Sequence, residues 1–243
     1  MGRFCADRGE AGDVVYVASD HLVHRLRYDA GHLEIDESWR ADYAVEGADQ
    51  SPAWDPCVGD GYLWLQDMGR PPGWRGLAAT APLRVFRFPL QEPQHRDVMV
   101  PFGDRSAFSP GPSLLDPDGH VLVAYDFASG RTGAWRCADG DSFEHLWTRR
   151  IRSANQPFVY RNTRELVTED AATGLDGIFD PLVSSGDVVV VDLDSGDEKG
   201  RCALGAPAGL GMFFCPGFER DLYAVSLLGP VVRVAVADPS ARG

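Results

Sequence analysis

Four aspartates close the same short phrase along the chain. Asp20 ends Val15-Tyr16-Val17-Ala18-Ser19-Asp20, Asp67 ends Tyr62-Leu63-Trp64-Leu65-Gln66-Asp67, Asp126 ends Val121-Leu122-Val123-Ala124-Tyr125-Asp126, and Asp170 ends Glu165-Leu166-Val167-Thr168-Glu169-Asp170. A fifth copy, Asp221-Leu222-Tyr223-Ala224-Val225-Ser226, has serine in that place. Carboxylates are hard oxygen donors, suited to Ca²⁺ or Mg²⁺, and a metal so held could lower the pKa of a bound water. Aspartate is also the residue that starts a turn after a strand, because its side chain bonds to nearby backbone N–H groups. Both uses stay open at this level.

Other chemistry is thinner. His21 and His24 lie three apart on or beside a strand and so face opposite sides, which makes a poor chelate. His32, His95, His120 and His145 stand alone in turns or at strand ends. The chain has no Gly-x-Ser-x-Gly, no His-Glu-x-x-His and no glycine-rich phosphate loop. No catalytic residue and no cofactor is therefore assigned. The five cysteines, Cys5, Cys57, Cys137, Cys202 and Cys215, are odd in number and none is in CxxC spacing. They read as reduced thiols of a cytoplasmic protein, and without close paired ligands a structural zinc site is a poor bet.

The net charge of −13 argues against nucleic acid, whose phosphates would be repelled, and against anionic membranes. No apolar run approaches the ~20 residues of a membrane span, and the N-terminal Met1-Gly2-Arg3-Phe4-Cys5-Ala6-Asp7 has no apolar signal core. The expected partner is a protein or a small molecule.

The elements that carry the aspartates are strands. In each phrase two adjacent apolar residues, such as Leu63 and Trp64 or Leu122 and Val123, must point to opposite faces, so both faces of the strand are covered. The phrases end 47, 59, 44 and 56 residues apart (20 to 67, 67 to 126, 126 to 170, 170 to 226). Multi-strand repeats of ~40–50 residues are the mark of propeller blades. The fold class expected is all-β, a β-propeller of about five units of three to four antiparallel strands, either closed or part of a larger propeller. Residues 1–12 read as a polar tail and 13–243 as one domain, with no amphipathic helix. The first unit is expected to lack an inner strand and the fifth an outer one. Ser51-Pro52-Ala53-Trp54 reads as the inner strand of the second unit. Trp39 and Trp147 occupy the same late place in their units.

Asp126-Phe127-Ala128-Ser129-Gly130, Asp170-Ala171-Ala172-Thr173-Gly174 and Asp192-Leu193-Asp194-Ser195-Gly196 all read Asp-x-x-Ser/Thr-Gly. With Trp39 and Trp147, they resemble the repeats of the quinoprotein-like (PQQ-like) β-propeller superfamily. The chain is also similar at fold level to gluconolactonase-like propellers. The vicinal cysteines and calcium ligands of quinoprotein dehydrogenases have no counterpart here, so PQQ-dependent oxidation is not expected. What the resemblance implies is a common face formed by the loops after second strands and the starts of inner strands. On that mapping Asp20, Asp67, Asp126 and Asp170 meet Gln50, Ser51, Asn155 and Gln156 on one face. The insertion carrying Trp74 and Arg75, residue types that anchor partners, overhangs it. The function expected is a non-catalytic ligand- or protein-binding propeller. The alternative is a metal-assisted hydrolase of the lactonase type.

Overall fold

The computed structural model describes residues 3–9, 12–19, 21–47, 53, 56–67, 82–103, 113–116, 120–127, 129–137, 143–153, 156–171, 186–204, 211–217, 221–226 and 231–235. Among these there is no helix, and hence none long and apolar enough to cross a membrane. The described residues form nineteen strands in five antiparallel sheets. The first sheet is β1 (Arg3–Gly9), β2 (Gly12–Ala18), β3 (Leu22–Asp29) and β4 (His32–Asp42), in that order. The second is β5 (Cys57–Gly59), β6 (Tyr62–Asp67), β7 (Arg84–Pro89) and β8 (Asp97–Met99). The third is β9 (Leu114–Asp116), β10 (Val121–Asp126), β11 (Arg131–Cys137) and β12 (Phe143–Arg149). The fourth is β13 (Phe158–Tyr160), β14 (Glu165–Ala171), β15 (Gly186–Asp192) and β16 (Glu198–Ala203). The fifth has three described strands, β17 (Gly211–Pro216), β18 (Asp221–Ser226) and β19 (Val231–Ala235). Every sheet pairs consecutive strands, so each is a meander built from local hairpins.

The chain divides into two compact units. One is Met1–Ser129 with Trp135–His145, and the other is Gly130–Ala134 with Leu146–Gly243.

Turn chemistry accounts for the hairpins. β3 and β4 are joined by Ala30 and Gly31, both at positive φ, and β5 and β6 by Asp60 and Gly61, also both positive. Two positive φ values in a two-residue loop match the right-handed twist of the flanking strands. The Asp192 turn works as its motif suggests. Its Oδ1 accepts the backbone N–H groups of Asp194 at 3.1 Å and Ser195 at 3.0 Å, and Gly196 sits at φ +72°.

The repeated phrase packs as its two apolar positions require. In β6, Leu63 and Leu65 join the core that the second sheet shares with the first, alongside Tyr16, Trp39, Ala41 and Tyr43. Trp64, one residue on, faces the other way and joins Val85, Leu122, Ala124 and Trp135. Within the other unit, Val167 of β14 packs with Leu222 and Ala224 of β18.

Three expectations are corrected. Residues 3–9 are not a tail: they pair with β2 from Arg3↔Ala18 to Gly9↔Gly12, giving the first sheet its inner strand. The polar side chains of Arg3, Asp7 and Arg8 do not prevent this, because a backbone ladder needs only N–H and C=O groups. The inner strand of the second sheet is Cys57–Gly59, not Ser51–Trp54; Ala53 lies outside any strand, and 51–52 and 54–55 fall outside the described residues. The first copy of the phrase is also one residue out of phase. Tyr16 and Ala18 face the following sheet, as Trp64 does in its own sheet, so Ser19 stands where Asp67 stands.

Candidate functional site

Asp67, at the end of β6, is fully buried and accepts a hydrogen bond from Arg84 Nη1 at 3.2 Å. Arg84 is its direct partner across the β6–β7 ladder, so the pair ties the two strand ends together. Asp126, at the end of β10, is buried and accepts the Ser129 backbone N–H at 3.2 Å, the Asp-x-x-Ser turn at work. Asp170, near the end of β14, accepts the Arg152 backbone N–H at 2.9 Å on one oxygen and Arg201 Nη1 at 2.9 Å on the other. Gln156 lies exposed just before β13. Asp20, Gln50, Ser51, Trp74, Arg75 and Asn155 lie outside the described residues.

The described strand-end carboxylates are thus each engaged in their own sheet. Among the described residues there is no group of three or more His, Cys, Asp or Glu that could hold a metal ion. Asp67 and Asp126 alone do not make the six- to eight-oxygen shell of a Ca²⁺ site.

The residue before Asp67, Asp126 and Asp170 is polar and buried. Gln66 takes a hydrogen bond from the Ser113 hydroxyl at 2.5 Å, and Tyr125 and Glu169 are fully buried in the same place of their copies. Burial pushes the Tyr125 phenol well above its ordinary range. A buried polar group costs stability unless bonded, so three of them at one repeated position mark a place where the sheets tolerate polarity. The phrase shows them as Gln, Tyr and Glu beside Asp, and that was the available signal.

Sequence reasoning also missed a cavity of about 280 Å³ in the second unit, between the fourth and fifth sheets. Its floor is apolar, with Val167, Val190, Leu222 and Val234, and charged side chains stand at its rim. Lys199 is tied to Asp192 at 3.4 Å. Arg201 is held by three carboxylates, Glu198 at 3.0 Å, Asp170 at 2.9 Å and Asp187 at 3.1 Å. Its hydrogen bonds, the one to Glu198 first, raise the guanidinium further above its already high range, and in return hold the Glu198 carboxyl below its own. Such a cation is a fixed structural charge. No periodicity could show this site, because its residues, from Tyr160 to Ala235, lie up to 75 positions apart in sequence.

No family model matches the chain, and no curated protein matches it. Solved structures do. A luciferin-regenerating enzyme aligns at TM-score 0.57 and 11% identity over 93% of this chain and 70% of its own. A candidate 6-phosphogluconolactonase from Bacteroides fragilis aligns at TM-score 0.54 and 13% identity, over 86% of this chain and 59% of that one. The periplasmic gluconolactonase PpgL of Pseudomonas aeruginosa aligns at TM-score 0.52 and 15% identity, over 91% and 62%. The chain therefore spans about three fifths of the length of the two lactonase-type structures. The fold is that of a β-propeller, with five sheets of three or four strands.

Proposed function

We propose that this chain belongs to a hydrolase that opens lactones, with sugar lactones as the substrate class. The observation that carries this reading is the structural likeness over most of the chain to two propellers whose names state lactonase activity. The carboxylates recurring at second-strand ends support it, since lactone opening needs an activated water and acidic side chains are the groups available for that. Asp126 and Asp170 are the described candidates, and Asp20, Gln50, Trp74, Arg75 and Asn155 are candidates from the sequence alone. In the reaction water adds to the lactone carbonyl, the ring C–O bond breaks, and the hydroxy acid formed releases its proton near neutral pH. A pH-stat reads that proton directly. Glucono-δ-lactone and its 6-phosphate would be supplied with Ca²⁺, with Mg²⁺ and with chelator. Proton release above the buffer rate, reduced by Asp126→Asn or Asp170→Asn with the fold intact, is the expected result. A rate equal to buffer in all arms would remove the proposal.

A second reading, a binding propeller without catalysis, is favoured by one observation. Asp67, Asp126 and Asp170 are each already bonded to Arg84, to the Ser129 N–H, and to the Arg152 N–H and Arg201. On this reading Asn in place of Asp126 serves the turn equally well, and calorimetry with Ca²⁺ and Mg²⁺ gives no heat in parent or variant.

A further inference from the structure

The cavity between the fourth and fifth sheets lies wholly within one compact unit, and none of its lining residues is a candidate for the reaction above. One wall is a cross-strand row of the fourth sheet, Val167 opposite Val190 and Val190 opposite Gly200. Directly paired residues point to the same face, so the Gly200 position opens onto the same side as the two valines. A Cβ at Gly200 would meet no atom within 4 Å, and its φ lies outside the left-handed region. The backbone therefore does not require glycine here. What glycine does is omit a side chain and keep the space open. The facing wall is Leu222 opposite Val234 in the fifth sheet. The void between these apolar walls is about 280 Å³, and a cavity of about 150 Å³ already holds a benzene ring.

The rim is charged, and its charge is mainly negative. The two lining cations are committed, Lys199 to Asp192 and Arg201 to Asp170, Asp187 and Glu198. The lining carboxylate, Glu165, accepts the Thr163 hydroxyl at 2.8 Å on Oε2. Among these groups there are five carboxylates and two cations. A carboxylate accepts several hydrogen bonds, so Glu165 has room for a further donor. An arriving anion would instead meet cations already held by carboxylates, inside a negative field.

We propose that this cavity binds a small hydrophobic amine, its hydrocarbon held between the Val167–Val190–Gly200 row and Leu222 and its ammonium on the Glu165 carboxylate. Removal of apolar surface from water supplies the affinity. The ammonium–carboxylate pair, near solvent, adds a modest preference for positive charge. A hydrophobic acid of the same size is disfavoured by the excess of carboxylates at the rim. The inference is independent of whether the protein hydrolyses lactones.

The test is equilibrium dialysis of the full chain against 2-(1-naphthyl)ethylamine, 2-(1-naphthyl)ethanol and 1-naphthaleneacetate, which share a ring system and differ in charge. The amine should bind saturably, about two- to fivefold tighter than the alcohol, and the acid should bind most weakly. Gly200→Leu puts a side chain into the space and should lose amine and alcohol alike, with unchanged thermal unfolding to show that it is folded. Glu165→Gln can still accept the Thr163 hydroxyl and should bind the amine no tighter than the alcohol. A measurement that needs no variant uses the thiols. Saturating amine should slow the labelling of Cys202, which lines the cavity, and leave that of Cys215, which is exposed and outside it, unchanged. No saturable binding of the amine to the parent overturns the proposal. So does full binding by a folded Gly200→Leu, an acid or alcohol that binds as tightly as the amine, or equal protection of the two thiols. Should Gly200→Leu fail to fold, the comparison of the two thiols decides.

Discussion

The Trp39 indole Nε1 donates a hydrogen bond to the Leu90 carbonyl at 2.8 Å, and Trp147 Nε1 does the same to Leu193 at 2.8 Å. Each tryptophan sits on the outermost strand of its sheet, and each acceptor lies just after the third strand of the following one. The clasp is thus a repeated device fastening sheet to sheet. Trp39→Phe and Trp147→Phe keep most of the apolar contact but leave a carbonyl unsatisfied. Each should lower unfolding free energy by about 1–2 kcal/mol in urea titrations. No change in midpoint for either variant would show that water replaces the bond.

Trp64 is 2% exposed and meets Phe143 edge-on with ring centroids 6.1 Å apart. Trp64→Ala should cost about 3–5 kcal/mol, the price of an aromatic-sized void. A thermal midpoint equal to the parent would contradict its place in the core.

Arg87 is buried, bonded to Asp97 at 2.7 Å, with its guanidinium 4.6 Å from the Tyr62 ring centre and 4.8 Å from that of Phe143. Asp97→Ala leaves this buried cation without its carboxylate and should destabilise by about 3 kcal/mol. Joint replacement, Arg87→Met with Asp97→Ala, should cost less than Asp97→Ala alone. A double variant weaker than the single one would show that the ring contacts, not the charge pair, dominate.

Asp36 is held well below the usual carboxylate range, first by the Ser38 hydroxyl, which outweighs the opposing push from burial, and then by Arg25 and Arg27. A depressed carboxylate stabilises the fold above about pH 4, where the unfolded chain's aspartate is ionised. That contribution disappears as pH falls through the lower folded value. Asp36→Asn should therefore lose about 2 kcal/mol at pH 7 and show a flatter stability curve below pH 4. Parallel acid curves for parent and variant would refute this assignment.

Burial pushes the Cys57 thiol up to about 12 and the Cys137 thiol up to about 11, whereas Cys202 and Cys215 are exposed. Thiolate is the reactive form, so at pH 8 a disulfide reagent should label Cys202 and Cys215 quickly and reach Cys57 and Cys137 only on unfolding. Peptide mapping that finds Cys57 labelled in the native protein would be the contrary result.

Much of the fold was legible because strand periodicity and turn chemistry are local. Val121–Asp126, Arg131–Cys137 and Val231–Ala235 follow from apolar alternation bounded by turn residues, and the paired tryptophans revealed an equivalent late place in two units. β1 escaped because a strand written Arg-Phe-Cys-Ala-Asp-Arg-Gly shows a weak apolar pattern, and its pairing with β2 depends on the partner. The strand ends were legible only in part: Asp67, Asp126 and Asp170 were visible as recurrent carboxylates while their bonding was not.

The chain by itself determined the repeat, the number of sheets and the identity of the strand-end aspartates, because these depend on residues within a few positions of one another. Tertiary structure alone decided what each aspartate meets: Arg84 for Asp67, and Arg201, 31 residues on, for Asp170. It also decided the phase of the first phrase. A period of two makes the two faces of a strand equivalent until a neighbouring sheet covers one of them. For Tyr16 and Val17 that choice was made by the core that Tyr16 joins with Leu63, Phe86 and Phe88, while Val17 points to the other face.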